Sequence, residues 1–152
     1  MGLNIRDLSI SSPAFESGGR MDDRFANDKG NDQPELLIRG VPEGTIELAI
    51  ICHDPDAPLP FGFTHWVLYG IPPDTKVIAE NGAATFSAGE NEFGKPGYGG
   101  PQPPKGHGPH HYYFWVYALD VRVEGTPPRN EFLERYGDHI LEQNRLVGVY
   151  EN

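Results

Sequence analysis

A chain of 152 residues is about the length of one domain, and such a chain buries roughly two-thirds of its unfolded surface. Hydrophobic residues make up 38% while 19 glycines and 15 prolines punctuate the sequence, which excludes a long helical bundle and favours short strands joined by many turns. A formal net charge of −10, with six histidines counted neutral and no Lys/Arg cluster, argues against nucleic acid as a partner and against docking on an anionic bilayer.

From its start the chain shows no basic region followed by an apolar run, and Arg6 stands where a myristoylation motif has Ser or Thr. No apolar stretch approaches the ~20 residues of a membrane span, so no stable membrane insertion is expected. Cys52 has no partner for an internal disulfide, and the cytoplasm is the expected compartment. Patterns of β-branched and aromatic residues predict strands over 3–9, 35–39, 45–53, 65–71, 83–87, 111–119 and 146–150. Between the first two, Asp22, Asp23, Asn27, Asp28, Asn31 and Asp32 read as a solvated acidic turn, because the alternating spacing and closing Glu of a calcium loop are missing. Residues 90–109 are too dense in Gly and Pro for regular structure and read as a functional loop. Behind Pro127 and Pro128, the spacing of Phe132, Leu133, Tyr136, Ile140 and Leu141 predicts one helix over 129–144, open to interruption at Gly137. The sum is one mainly β domain over 1–152: stacked antiparallel sheets, a helix near the C-terminus, and Trp66, Phe114, Val116 and Leu119 in the core.

Five of the six histidines fall in two segments, each at the margin of an apolar strand where loops can converge polar groups. The first is His53-Asp54-Pro55-Asp56-Ala57-Pro58 with His65-Trp66 soon after. The second is Pro103-Pro104-Lys105-Gly106-His107-Gly108-Pro109-His110-His111-Tyr112. Strand alternation turns His53 away from Asp54 and His111 away from His110. Asp56 is expected to shape a turn through local Asx hydrogen bonds, with either neighbouring X-Pro bond a candidate for the cis form. A competing reading is a metal-dependent hydrolase built on His107, His110, His111, Asp54 and His65, whose donor types zinc accepts. Against it, His110 and His111 are adjacent and cannot both reach one ion from a strand, and there is no His-Glu-x-x-His run. Gly-x-Ser-x-Gly is absent, Cys52 lies in an apolar strand, and Gly97-Tyr98-Gly99-Gly100 fits neither a P-loop nor a dinucleotide fingerprint.

Asp54-Pro55-Asp56-Ala57-Pro58 resembles the first signature of the phosphatidylethanolamine-binding (Raf kinase inhibitor-like) family, and residues 103–112 resemble the second, in the same order and separation. Residues 28–42 resemble the family's early turn and strand, and 137–150 the ending of its bacterial branch. The resemblance implies two sheets with Greek-key-like connections and a pocket that binds a small anionic or phosphorylated molecule without catalysis, cofactor or metal. It maps the ligand-binding residues to Asp54, His65, His110 and Tyr112, with Pro104 and Pro58 shaping the walls. In that mapping the two imidazoles act as cationic donors, Tyr112 donates its hydroxyl proton, and Asp54 supports a histidine. His107 is balanced between a pocket rim and open solvent, and stays outside the core site. Some members inhibit kinases or proteases and bacterial relatives often pair, so the resemblance also carries a protein target and a homodimer as expectations. Three departures stand out: His111 replaces the usual Arg, Thr64 replaces a common second His, and Asp32-Gln33-Pro34 lacks the usual Ser.

Overall fold

The computed structural model describes residues 4–152, so the first residue of the strand predicted over 3–9 lies outside the described residues. Within them the first strand is β1 (Ser9–Ser11), followed by β2 (Gly19–Arg20), β3 (Leu36–Arg39), β4 (Glu47–Asp54), β5 (Phe63–Ile71), β6 (Val77–Ile78), β7 (Ser87–Ala88), β8 (His110–Leu119), the helix α1 (Arg129–Tyr136) and β9 (Ile140–Tyr150). The stretch before β1 is not a strand because its amides are used otherwise. The backbone N–H groups of Asp7 and Leu8 both donate to Glu142 Oε1 at 3.0 Å, which fixes an irregular approach.

Three strands form one sheet in the order β1-β3-β6, and six form the other in the order β2-β9-β8-β4-β5-β7. Pairing is antiparallel except for the short β2, which runs parallel to β9. The β4–β5 hairpin is flanked on its other side by β8, which returns to β4 after a long connection. Strand β4 is buried along all eight residues, which explains the unbroken apolar run in its sequence. On one face Leu48, Ile50 and Cys52 pack with Trp66, Phe114 and Val116 against Ile10, Leu36, Ile38 and Ile78. On the other, Ala49 and Ile51 join Val67, Tyr69, Tyr117 and Leu119 beneath Phe132 and Tyr136 of α1.

The helix predicted over 129–144 is cut short. It ends at Tyr136, a 3-10 turn follows at Gly137–His139, and residues 140–150 form β9. Ile140 shares a core cluster with Phe132 and Tyr136, which is why its spacing matched a helix, yet it arrives there from a strand. The ladder with β8, from Leu119↔Ile140 to His110↔Tyr150, outweighs the local helical pattern. The strand predicted over 83–87 shrinks to Ser87–Ala88 behind a 3-10 turn at Ala83–Thr85. All peptide bonds among the described residues are trans, including those before Pro55 and Pro58. None of the described helices is long and apolar enough to cross a membrane.

Candidate functional site

Three neighbouring strands bring the predicted site residues together. Asp54 is the last residue of β4, His65 lies in β5, and His110 and Tyr112, two residues apart in β8, share a face. His65 reaches that face through a bulge. Cys52 pairs with Trp66, but His53 pairs with Thr64, so His65 is the extra residue between them. His65 and Trp66 therefore both turn toward Tyr112 and Phe114, and Thr64 turns the other way to meet His53 Nδ1 at 3.0 Å through its hydroxyl.

Asp54 and His110 are each only 2% exposed. The Nδ1–H of His110 donates to Asp54 Oδ2 at 2.7 Å, and Asp54 Oδ1 accepts the backbone N–H of Asp56 at 2.7 Å, the expected Asx turn. With Nδ1 committed to the carboxylate, His110 Nε2 meets His107 Nδ1 at 2.6 Å, and one proton lies between the two rings. His107, exposed on the loop that leads into β8 and not itself a lining residue of the cavity that Asp54 and His110 line, thus caps the outer nitrogen of the buried His110.

His65 is held differently from the expectation. Its Nδ1–H donates to the carbonyls of Gly99 at 2.7 Å and Gly100 at 3.1 Å, and Nε2 has no partner among the described residues. Burial pulls its pKa from 6.5 to about 4, outweighing those two carbonyls and Asp54. The ring is therefore neutral near pH 7, with a lone pair at Nε2, and it is not the cationic donor that the resemblance implied. Tyr112 is buried and its hydroxyl has no hydrogen-bond partner among the described residues. Burial, and then Asp54, push its pKa up, so it stays a phenol and a donor. Cys52 is buried and its thiol is pushed up by burial and Asp54, which leaves it unreactive.

Asp54, His65, His110, Tyr112, Pro104 and Pro58 all line one cavity of about 230 Å³. Its remaining wall is mostly apolar: Ala57, Leu59, Phe63, Phe93 and Pro103, with Gln102 as the other polar member. Neither Lys nor Arg lines it. The predicted set is gathered in full, whereas the aromatic wall and the support behind His65 escaped the sequence reading. Asn31, assigned to a solvated turn, is structural. Its side-chain oxygen accepts the Gly100 N–H at 2.7 Å and its amide donates to the Tyr98 carbonyl at 3.1 Å, so it anchors the loop that holds His65. The only available signal was an Asn beside Gly30, a pair suited to the left-handed φ of 57° that Asn31 adopts. Of the metal-site donors, His111 turns away from His110 to Asp56, and no three His, Cys, Asp or Glu groups converge as a metal set among the described residues.

The sequence model of the family described as phosphatidylethanolamine-binding protein matches residues 11–151. The chain belongs to this family. It is 40% identical over 152 residues to a UPF0098 protein of Archaeoglobus fulgidus, covering 95% of this chain but only 51% of that one, so it spans about half the length of that relative. A UPF0098 protein of Aquifex aeolicus is 37% identical, with 95% and 88% covered. Among solved structures, YbcL of Escherichia coli, described as a new member of the mammalian family, superposes with a TM-score of 0.87 at 29% identity over 97% of this chain and 99% of that one. A homolog from Chlamydia trachomatis gives 0.88 at 30% identity, covering 98% and 99%. A family member from Plasmodium vivax shares the fold alone, at 15% identity and a TM-score of 0.56 over 97% and 87%.

Within the family, the departures now have physical content. His111, which stands where Arg is usual, ties its own strand to the turn after β4: its backbone N–H and its Nδ1–H both donate to Asp56 Oδ2, at 2.8 and 2.7 Å. Burial works against the Asp56 carboxylate, but these bonds outweigh it and hold its pKa below the ordinary value. Thr64 binds His53 on the far side of the sheet, so of the adjacent pair 64 and 65 only His65 lines the cavity. Gln33, in the segment that lacks the usual Ser, is buried and donates through Nε2 to the Pro34 carbonyl and, at 3.3 Å, to that of Ala79.

Proposed function

We propose that this member of the family binds a small phosphoryl or phosphate-like anion in the cavity of Asp54, His65, His110 and Tyr112, and releases it unchanged. The observation that carries this reading is the Tyr112 hydroxyl, buried without a partner beside the Asp54–His110–His107 chain. An unpaired buried hydroxyl costs about 1–3 kcal/mol, and an anionic oxygen entering the cavity removes that cost. A ligand oxygen that displaces the exposed His107 from His110 Nε2 adds a second N–H contact, and the mostly apolar wall strengthens the bond to Tyr112. Turnover would need a nucleophile paired with a base. The lining offers no Ser, Thr, Cys or Lys, its phenol has a raised pKa, and both oxygens of its carboxylate already accept hydrogen bonds.

The test is a titration of the protein with methyl phosphate at pH 5.0, followed by amide chemical shifts and calorimetry. Saturable binding with shifts concentrated at Asp54, His65, His110 and Tyr112 is expected, without release of methanol. Absence of saturable binding, or shifts confined to other parts of the surface, would overturn the reading; methanol release lost in His110→Ala would overturn its non-catalytic half.

A further inference from the structure

We infer that the cavity selects a phosphoryl group that still carries a proton, a phosphomonoester in its singly charged form, over anions that have none. The inference rests on the anion-binding reading above and adds the ligand's protonation state to it. It follows from a count of donors and acceptors on the cavity wall. On the donor side stands the Tyr112 hydroxyl, since the proton between His110 Nε2 and His107 Nδ1 is engaged in their own bond and reaches a ligand only when a ligand oxygen displaces His107. On the acceptor side stand both oxygens of Asp54, each with one lone-pair region left after accepting from Asp56 or His110, and the bare Nε2 of His65. The tautomer of His65 is fixed by geometry, because two carbonyls can only accept from Nδ1, so Nδ1 carries the hydrogen and Nε2 presents a lone pair.

An anion whose every oxygen only accepts cannot satisfy this wall. Sulfate or a phosphodiester satisfies Tyr112, but sets its remaining oxygens against a buried carboxylate and a lone pair, with neither Lys nor Arg in the wall to offset the repulsion. A phosphomonoester with one P–OH meets both sides at once: an unprotonated oxygen accepts from Tyr112, and its hydroxyl donates to Asp54 or to His65. A charge-assisted hydrogen bond gained in place of a repulsion is worth about tenfold or more in affinity.

Three probes separate protonation from charge and size: methyl phosphate, dimethyl phosphate and sulfate, titrated by calorimetry at pH 5.0. At that pH methyl phosphate is mostly the monoanion, since its second ionisation lies near 6, so it matches dimethyl phosphate in charge and differs in carrying the proton. The expected result is methyl phosphate binding about tenfold or more tightly than either other probe. Asp54→Asn, which replaces an acceptor by a donor, and His65→Gln, which offers the ligand an amide donor, should each narrow that ratio, with sulfate gaining most in Asp54→Asn. Equal affinity for methyl and dimethyl phosphate in the unaltered protein would overturn the inference while leaving the anion reading intact, and it needs no variant to fold. A preference that survives both substitutions is one of size and overturns it equally. If none of the three probes binds, the anion reading itself fails and this inference fails with it.

Discussion

Tyr112→Phe removes one oxygen atom and should move stability and binding in opposite directions. In the free protein the hydroxyl is buried without a partner, while the ring, 5.1 Å from His65 between centroids and within the cluster of Phe114 and Trp66, is kept by phenylalanine. A buried unpaired hydroxyl costs about 1–3 kcal/mol, so its loss should raise the unfolding free energy by about 1 kcal/mol, which for a chain of this size is roughly 2–4 °C in melting temperature. The same substitution removes a donor to a charged ligand, a loss of about 1.5–3 kcal/mol or roughly 10–100-fold in affinity. Thermal unfolding without ligand and calorimetry with methyl phosphate read the two effects separately. A variant destabilised by about 1 kcal/mol or more would mean that the hydroxyl is paired in the free protein. An unchanged dissociation constant would mean that it never meets the ligand, and either result refutes the argument from the orphaned hydroxyl.

Four further outcomes are expected. His110→Ala should weaken methyl phosphate binding by about 1.5–3 kcal/mol and, by leaving Asp54 buried without its partner, destabilise the fold by roughly 3–5 kcal/mol in urea titration. His65 and His53 both have pKa values lowered from 6.5 to about 4, so unfolding takes up protons below pH 6.5. Their contribution is complete above pH 6.5 and is lost as pH falls toward 4, by up to about 1.4 kcal/mol per pH unit for each ring. Urea midpoints at pH 7.0 and 5.5 should show the loss, and His65→Gln should reduce it. Gly100→Ala places a Cβ 1.9 Å from the Phe25 carbonyl oxygen, so the loop that holds His65 must shift, and a loss of roughly 2 kcal/mol or more should appear together with weaker ligand binding. His111→Ala, by contrast, breaks only an exposed pair and should cost less than about 1 kcal/mol by the same urea assay.

The unequal reach of the sequence reading has a physical cause in each case. β4 and β8 were legible because their apolar runs are continuous and their ends carry the paired His, Asp and Tyr motifs. Period two was enough to turn His111 away from His110, while the grouping of His110 with Tyr112 came from the resemblance and agrees with their shared face on β8. It could not place His65, since plain alternation sets His65 and Trp66 on opposite faces, and only the bulge against β4 brings both to the same one. β9 was misread at its start because helix α1 and the first residue of β9 bury side chains in one cluster, so Phe132, Tyr136 and Ile140 repeat at helical spacing although the chain changes conformation between them.

The character of His65 was further out of reach, because it is decided by residues distant in sequence. An imidazole at the edge of a pocket reads as a donor by residue type, and its actual role depends on what occupies its other nitrogen. Here that is the pair of carbonyls at Gly99 and Gly100. Those carbonyls point at His65 because Asn31 holds the Gly100 N–H, Gly99 donates to the His65 carbonyl at 2.9 Å, and the Tyr98 hydroxyl is tied to Phe25. An acidic turn, a glycine loop and a bulged strand thus fix which nitrogen of the ring faces the cavity, and burial keeps that ring neutral. Any change that frees the Gly99–Gly100 carbonyls, Asn31→Ala among them, should raise the pKa of His65 toward the ordinary histidine value, because admitted water relieves the burial that lowers it, a gain larger than the loss of the two carbonyls, which favour the charged ring. Histidine side-chain NMR titration would detect the shift, and a pKa still near 4 in Asn31→Ala would show that burial alone sets the charge of the ring and that the loop only positions it.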